Sequence, residues 1–76
     1  MSVCYLFVSK KEAEESGFDI NSLEFDGYWP AITNIRNYKL KDCHLFRSTD
    51  IDSEEFKKLD SNPEYKKITL WQLNSL

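Results

Sequence analysis

The sequence has few of the residues from which small catalytic and metal sites are usually built. Its 76 residues include two cysteines, two glycines, two prolines and one histidine. A zinc site needs four nitrogen or sulfur ligands, whereas Cys4, Cys43 and His44 supply only three, at unsuitable spacing. A phosphate-binding loop needs clustered glycines, and Gly17 and Gly27 lie ten residues apart. The sequence therefore predicts no metal site and no bound cofactor.

Two cysteines are also too few for a secreted disulfide scaffold. We predict two reduced thiols that pack as small hydrophobic side chains, with a single Cys4–Cys43 bridge as the alternative. Residues 1–3 lead straight into an apolar run, without the basic segment that opens a signal peptide. The longest apolar run, residues 3–8, is too short to span a bilayer. These observations predict a protein that stays in the cytoplasm of its cell or host and does not enter a membrane.

Thiol catalysis needs a base beside the cysteine. Cys43 and His44 are neighbours on a predicted strand, where adjacent side chains point to opposite faces, so they cannot form such a pair. Cys4 and His44 could meet across two strands, but no third residue is placed to orient the imidazole. The sequence therefore predicts a protein that is not an enzyme.

A calcium loop is also poorly supported. Asp50, Asp52 and Glu54 alternate like the oxygen ligands of such a loop. However, Glu55 stands where the loop requires glycine, and Ser61 stands where it requires a bidentate glutamate. We interpret Asp52 as a helix cap instead.

The chain has enough apolar residues to fold as one compact domain over residues 1–76. Hydrophobic residues make up 41% of it and aromatic residues 14%, which is too much for a disordered chain. A chain of this length buries only about 60% of its unfolded surface. A few large side chains must therefore supply most of the core.

Three segments have the patterns of β-strands. Residues 3–8 are continuously apolar, which predicts a strand buried on both faces at the centre of a sheet. Residues 41–47 alternate in character, and residues 68–73 are rich in strand-forming side chains. A helix beginning near Asn62 and Pro63 is the alternative for the last segment.

Helix signals stand between the strands. Ser9 and Glu12 form a capping box for a helix over residues 10–16, and Gly17 is placed to end it in a left-handed conformation. Residues 21–24 could form a single helical turn, capped by Asn21.

Two more helices are predicted further along. Pro30 fits the first turn of a helix over residues 30–37, although the β-branched residues there make a strand a serious alternative. Asp52 and Glu55 form a second capping box for a helix over residues 53–59. The predicted fold is α+β, a small single-layer sheet of about three strands with two or three short helices packed on it. If the second and third strands pair in parallel, their crossover should be right-handed.

Charge is distributed unevenly along the chain. Residues 12–26 contain six acids and no base, residues 33–47 have a net charge of +3, and residues 50–67 have a net charge of −2. The net charge of the whole chain is −3. Such a dipole more often orients an encounter with a charged partner than defines a fold, and a set of solvated faces is the alternative interpretation.

The segment Phe25-Asp26-Gly27-Tyr28-Trp29-Pro30 lies where the charge changes sign. It is either a plug in the core or an exposed aromatic patch. As a patch, it would bind a partner through Asp26, Tyr28 and Trp29, because tyrosine and tryptophan dominate protein interfaces. The acids beside the rings suit a partner that offers arginine or lysine.

These features favour a small acidic non-enzymatic protein that binds another protein and regulates or inhibits it. Compact acidic chains without catalytic residues are common among regulators carried by phages and mobile elements. The partner's identity is open, and a homodimer that uses Trp29 as its contact is possible.

The alternative is a nucleic-acid-binding module in the basic segment 36–47. Its candidate contacts are Arg36, Lys39, Lys41 and Arg47, with Tyr38 or Phe46 stacking on bases. The net negative charge argues against it. The acidic stretches could instead mimic a nucleic acid and occupy a protein that binds one.

Overall fold

The computed structural model describes residues 2–23 and 27–72, which form a three-stranded antiparallel sheet with helices against it. In chain order the elements are β1 (Ser2–Ser9), α1 (Lys10–Ser16), a 3-10 helix (Ile20–Leu23), α2 (Tyr28–Asn37), β2 (Cys43–Arg47), a second 3-10 helix (Ser48–Asp50), α3 (Glu54–Asp60) and β3 (Tyr65–Gln72). The predicted α+β class is confirmed.

β1 is the central strand, as its unbroken apolar run predicts. The strand order is β2-β1-β3, and β1 pairs antiparallel with both neighbours. Leu6 and Val8 lie on one face of β1 and Phe7 on the other, and all three are at most 2% exposed. β2 and β3 flank β1 without pairing, so the parallel crossover considered from the sequence does not form.

The main core lies between one face of the sheet and the helices α1 and α2. β1 and β3 supply its sheet side, and the helices and the first 3-10 helix supply the other. Its members are Cys4, Leu6, Val8, Ala13, Phe18, Ile20, Leu23, Ala31, Ile35, Leu40, Ile68 and Leu70.

The opposite face of the sheet carries a small aromatic cluster beneath α3. Phe56 is the only buried residue of this helix. Its ring makes edge contacts with Tyr5, Phe7 and Phe46, at centroid distances of 5.7, 5.1 and 5.5 Å. These contacts fix α3 on the sheet, because its other side chains are exposed or half-buried.

α1 begins and ends where the sequence predicts. The Ser9 hydroxyl accepts a hydrogen bond from the Glu12 N–H, and Gly17 ends the helix with φ of 72°. The second half of the predicted capping box is wrong, because the Ser9 N–H donates to the Asp42 carbonyl at 3.3 Å. The Glu12 carboxylate instead accepts the backbone N–H groups of Lys41 and Asp42, both at 2.9 Å. Glu12 thereby ties α1 to the connection between α2 and β2.

We expect Glu12→Ala to lower the free energy of unfolding by about 2 kcal/mol, because two amide groups lose a charged acceptor. Urea unfolding followed by circular dichroism measures this. Glu14→Ala is the matched control, since Glu14 lies on the same helix, is exposed and makes no such bond; we expect a change within about 0.5 kcal/mol. Equal stability of the two variants would contradict this role for Glu12.

α3 begins one residue later than predicted. Ser53, not Asp52, is its N-cap, and the Ser53 hydroxyl accepts from the Phe56 N–H at 3.2 Å. The prediction was wrong because the two residues are equally good caps by type. This cap starts the helix where Phe56 faces the aromatic cluster.

α2 is a helix, so the strand alternative is wrong. It begins at Tyr28 with Gly27 as N-cap, two residues before the predicted start. Pro30 lies in the first turn, where backbone N–H groups have no partner within the helix, so the N–H that proline lacks costs no hydrogen bond. The first bond of the helix is donated by Ala31 to the Gly27 carbonyl at 3.2 Å.

The two remaining alternatives are also decided. The helix considered after Asn62 is wrong, because the Asn62 side chain accepts from the Glu64 N–H in a turn and β3 begins at Tyr65.

The turn predicted over residues 21–24 starts at Ile20 and is capped by Asp19, which accepts from the Asn21 N–H at 3.1 Å. Residues 24 and 73, which belonged to these two predictions, lie outside the described residues.

Candidate functional site

Trp29 lies on the surface in the first turn of α2, with 65% of the residue exposed. Ala31 and Ile35, four residues apart, form the buried face of this helix. Trp29 is two residues before Ala31, a rotation of about 200°, and therefore faces away from the core. The core-plug interpretation is wrong for this side chain.

Tyr28 lies between Trp29 and the core. It is half-buried and packs against the main core. Its ring meets the Trp29 ring edge-on at a centroid distance of 5.2 Å and an angle of 81°. Tyr28 therefore packs between the exposed indole of Trp29 and the main core. Phe25 and Asp26, the other members of the predicted patch, lie outside the described residues.

A second exposed tryptophan, Trp71, lies at the same corner of the fold. Gly27 forms an isolated parallel bridge with Trp71 on the outer edge of β3, which joins the start of α2 to the sheet. Trp71 is 37% exposed. The sequence pattern placed it in a strand but did not show which part of that strand the helices leave uncovered. The Trp71 side chain lies on the opposite face of the sheet from Leu70 of the main core, so the bridge joins only the backbones of Gly27 and Trp71. We call Tyr28, Trp29 and the backbone at Trp71 the tryptophan corner.

The four basic residues of the alternative hypothesis are not gathered into one site. Arg36, Lys39 and Lys41 lie between the last turn of α2 and the start of β2, and all three are exposed. Arg47 is at the far end of β2, four residues beyond Cys43 and therefore about 13 Å away along the strand.

The aromatic residues proposed to stack on bases are both in contact with other rings. Tyr38 is 43% exposed and its ring packs against Phe18 at 4.8 Å. Phe46 is half-buried in the aromatic cluster with Phe7 and Phe56. Of these two rings, Tyr38 is therefore the more exposed.

Both cysteines are free thiols. Cys4 pairs with Arg47 across the strands, whereas Cys43 pairs with Val8. The two cysteines are thus four residues apart along the ladder, which excludes the alternative Cys4–Cys43 bridge. Cys4 belongs to the main core and His44 lies on the other face of the sheet, so the pairing of Cys4 with His44 is wrong too.

Neither thiol is in an activating environment. Burial raises the pKa of Cys4. Burial, with the nearby Glu12 and Asp42 carboxylates, raises the pKa of Cys43 to about 11. Both shifts favour the protonated thiol, which is a poor nucleophile.

We expect iodoacetamide to alkylate Cys43 slowly at pH 8. A thiol with a pKa near 11 is about a hundredfold less ionised there than one with a pKa near 9, and the rate should rise with pH until about 11. Mass spectrometry of the Cys43 peptide across this pH range measures the rate. Asp42→Asn removes one cause of the shift and should accelerate the reaction. A folded protein that reacts as fast as its unfolded form would contradict this assignment.

Asp42 holds two side chains at the start of β2 and β3. Its carboxylate accepts the Tyr65 hydroxyl at 2.8 and 2.9 Å and contacts His44 Nε2 at 3.0 Å. The hydrogen bond to Asp42 raises the pKa of Tyr65. Tyr65 and His44 share this carboxylate, with their ring centroids 5.8 Å apart, so the cluster links the start of β2 to the start of β3.

An open groove lies beside this cluster. It is lined by Ser9, Lys10, Lys11, Glu14, Asp42, Pro63 and Glu64. Its mixed charges do not define a ligand of one sign. Within residues 2–23 and 27–72, no group of three or more metal-binding side chains could hold an ion.

None of the helices in the described part of the chain has the length and apolarity needed to cross a membrane. Comparison of the chain with protein-family models, curated proteins and solved structures found no match.

Proposed function

We propose that this chain is a small non-enzymatic protein that binds another protein and regulates or inhibits it. Trp29 is the principal anchor of the interaction, and Tyr28 holds its ring in place. The observation that carries this proposal is the exposure of the Trp29 indole, 65%, on a helix whose other face is fixed in the core.

An exposed and supported indole is well suited to binding. Its exposed part amounts to on the order of 150 Å² of mostly apolar surface, and burying that area contributes about 4 kcal/mol before the entropy cost of association. Because Tyr28 already limits the ring's freedom, less entropy is lost when a partner covers it. Tryptophan is also among the residues enriched at the energetic centres of interfaces.

The charge of the sequence that leads into α2 favours a basic partner. Glu24 and Asp26 precede Trp29 in the sequence, within the stretch of six acids without a base. An arginine or lysine of the partner could lie over the indole and be attracted by these carboxylates. The expected partner is therefore a protein with a basic segment beside an apolar pocket.

Affinity capture from the native cell or host tests this proposal. Immobilised wild type, Trp29→Ala and Ile51→Ala are compared by quantitative mass spectrometry. Ile51 is the control because it is an exposed apolar residue, 44% exposed, outside the tryptophan corner. The proposal predicts a protein that wild type and Ile51→Ala retain and Trp29→Ala loses. Identical sets of retained proteins on all three would contradict it.

A further inference from the structure

β2 is an edge strand whose outer backbone groups point away from the sheet. The Ser9 N–H donates to the Asp42 carbonyl. Because hydrogen-bonded pairs alternate along an antiparallel ladder, this bond determines which residues of β2 direct their backbone groups towards β1. The backbone N–H and C=O groups of His44 and Phe46 therefore point towards β1. Those of Cys43 and Leu45 point outward. The outward N–H of Arg47 is bonded to the Asp50 carboxylate at 3.3 Å.

The two edges of the sheet are protected to different degrees. On β3, Gly27 bridges the edge at Trp71, and Lys67 places a charge on the same strand in an ion pair with Asp60 at 3.2 Å. Edge strands that carry lysine or are covered by another segment resist pairing with a further strand. At the centre of β2 stands Leu45, which is uncharged and 44% exposed. Within residues 2–23 and 27–72 no segment pairs with the outer edge of β2, so β2 is the edge that is open to strand addition.

We propose that β2 pairs antiparallel with β2 of a second copy of this chain, around a twofold axis at Leu45. The result is a continuous six-stranded sheet. In this register Leu45 faces its own copy and Cys43 faces Arg47 of the partner subunit. On the other face of the sheet His44 lies opposite Phe46 of the partner subunit.

Charge and side-chain pairing favour this occupant and this direction. Antiparallel pairing places Arg47 of the partner subunit opposite Cys43, and the Glu12 and Asp42 carboxylates lie near that cysteine, so unlike charges adjoin across the axis. Parallel pairing would set Arg47 against its own copy. The central leucine pair removes two exposed side chains from water, and the histidine–phenylalanine pair brings two rings together.

The expected dimer is weak and leaves the tryptophan corner open. Five residues per strand bury far less than the roughly 1,600 Å² typical of stable complexes, so we expect dimers at concentrations of about 100 µM and above. The tryptophan corner lies along the opposite edge of the sheet, at β3. The dimer therefore presents two copies of Trp29, and its formation does not depend on the proposed function.

Sedimentation equilibrium of the full chain tests the dimer. The wild-type mass should rise from 9.0 kDa towards twice that value with concentration. Leu45→Pro removes the outward N–H without removing a bond to β1, as proline in an edge strand does, and should remain monomeric. Leu45→Lys should also be monomeric, because two lysines would oppose each other. Ile51→Lys introduces the same charge at an equally exposed position outside the strand and should dimerise like wild type.

Circular dichroism establishes that each variant is folded, and Leu45→Lys decides the question if Leu45→Pro does not fold. A wild type that stays monomeric up to about 1 mM would overturn the proposal. A dimer that persists in Leu45→Lys would overturn it as well. So would a dimer that Trp29→Ala removes and the Leu45 variants retain, since Trp29 would then be the contact.

Discussion

Phe56→Ala should lower the free energy of unfolding by about 3–5 kcal/mol. A domain of this length has a total stability of about 4–11 kcal/mol, so the loss is a large share of it. The reason is that Phe56 is the only buried residue of α3 and contacts three other rings. Its loss opens a cavity above Phe7, which is 1% exposed in the intact protein. Urea unfolding followed by circular dichroism measures the change.

Leu59→Ala on the same helix is the matched control. Leu59 is half-buried and should cost about 1 kcal/mol. If Phe56→Ala is no less stable than Leu59→Ala, the aromatic cluster does not hold α3 on the sheet.

Trp29→Ala should weaken the complex with the captured partner by about 30-fold or more, which corresponds to at least 2 kcal/mol of binding energy. The free energy of unfolding should change by less than about 1 kcal/mol, because most of the side chain is exposed. Titration calorimetry with the purified partner gives the affinity, and thermal unfolding gives the stability.

Two further variants sharpen this expectation. Trp29→Phe keeps a ring in the same place and should recover part of the affinity, whereas Ile51→Ala should bind like wild type. Raising the salt concentration should weaken wild-type binding, because salt screens the attraction between a basic partner and the six acids of residues 12–26, the stretch that precedes the indole in the sequence. Loss of fold in Trp29→Ala would show that the indole is needed for the core.

The sequence predicted the elements whose signals are local. β1 was recognised because residues 3–8 are apolar on both faces, which only a central strand requires. α1 was recognised because Ser9 and Gly17 fix its two ends through bonds to nearby backbone groups. The start of α3 was missed by one residue, because Asp52 and Ser53 are equally good N-caps by residue type. With Ser53 as the N-cap, Phe56 is the buried residue of the helix, and this packing against the sheet cannot be read from the local sequence.

Features that depend on distant contacts were not predictable in this way. The carboxylate of Glu12 binds backbone groups 29 and 30 residues further along the chain, and no local pattern indicates this. The exposure of Trp71 depends on where the helices lie on the sheet. The exposure of Trp29, by contrast, follows from its angle to Ala31 and Ile35 once α2 is known to be a helix.

The most direct test of the central claim is to measure partner affinity and folding stability on the same preparations of wild type and Trp29→Ala. We predict that Trp29→Ala binds the partner at least about 30-fold more weakly, while its free energy of unfolding stays within about 1 kcal/mol of the wild-type value. Equal affinity of the two folded proteins for the partner would contradict it.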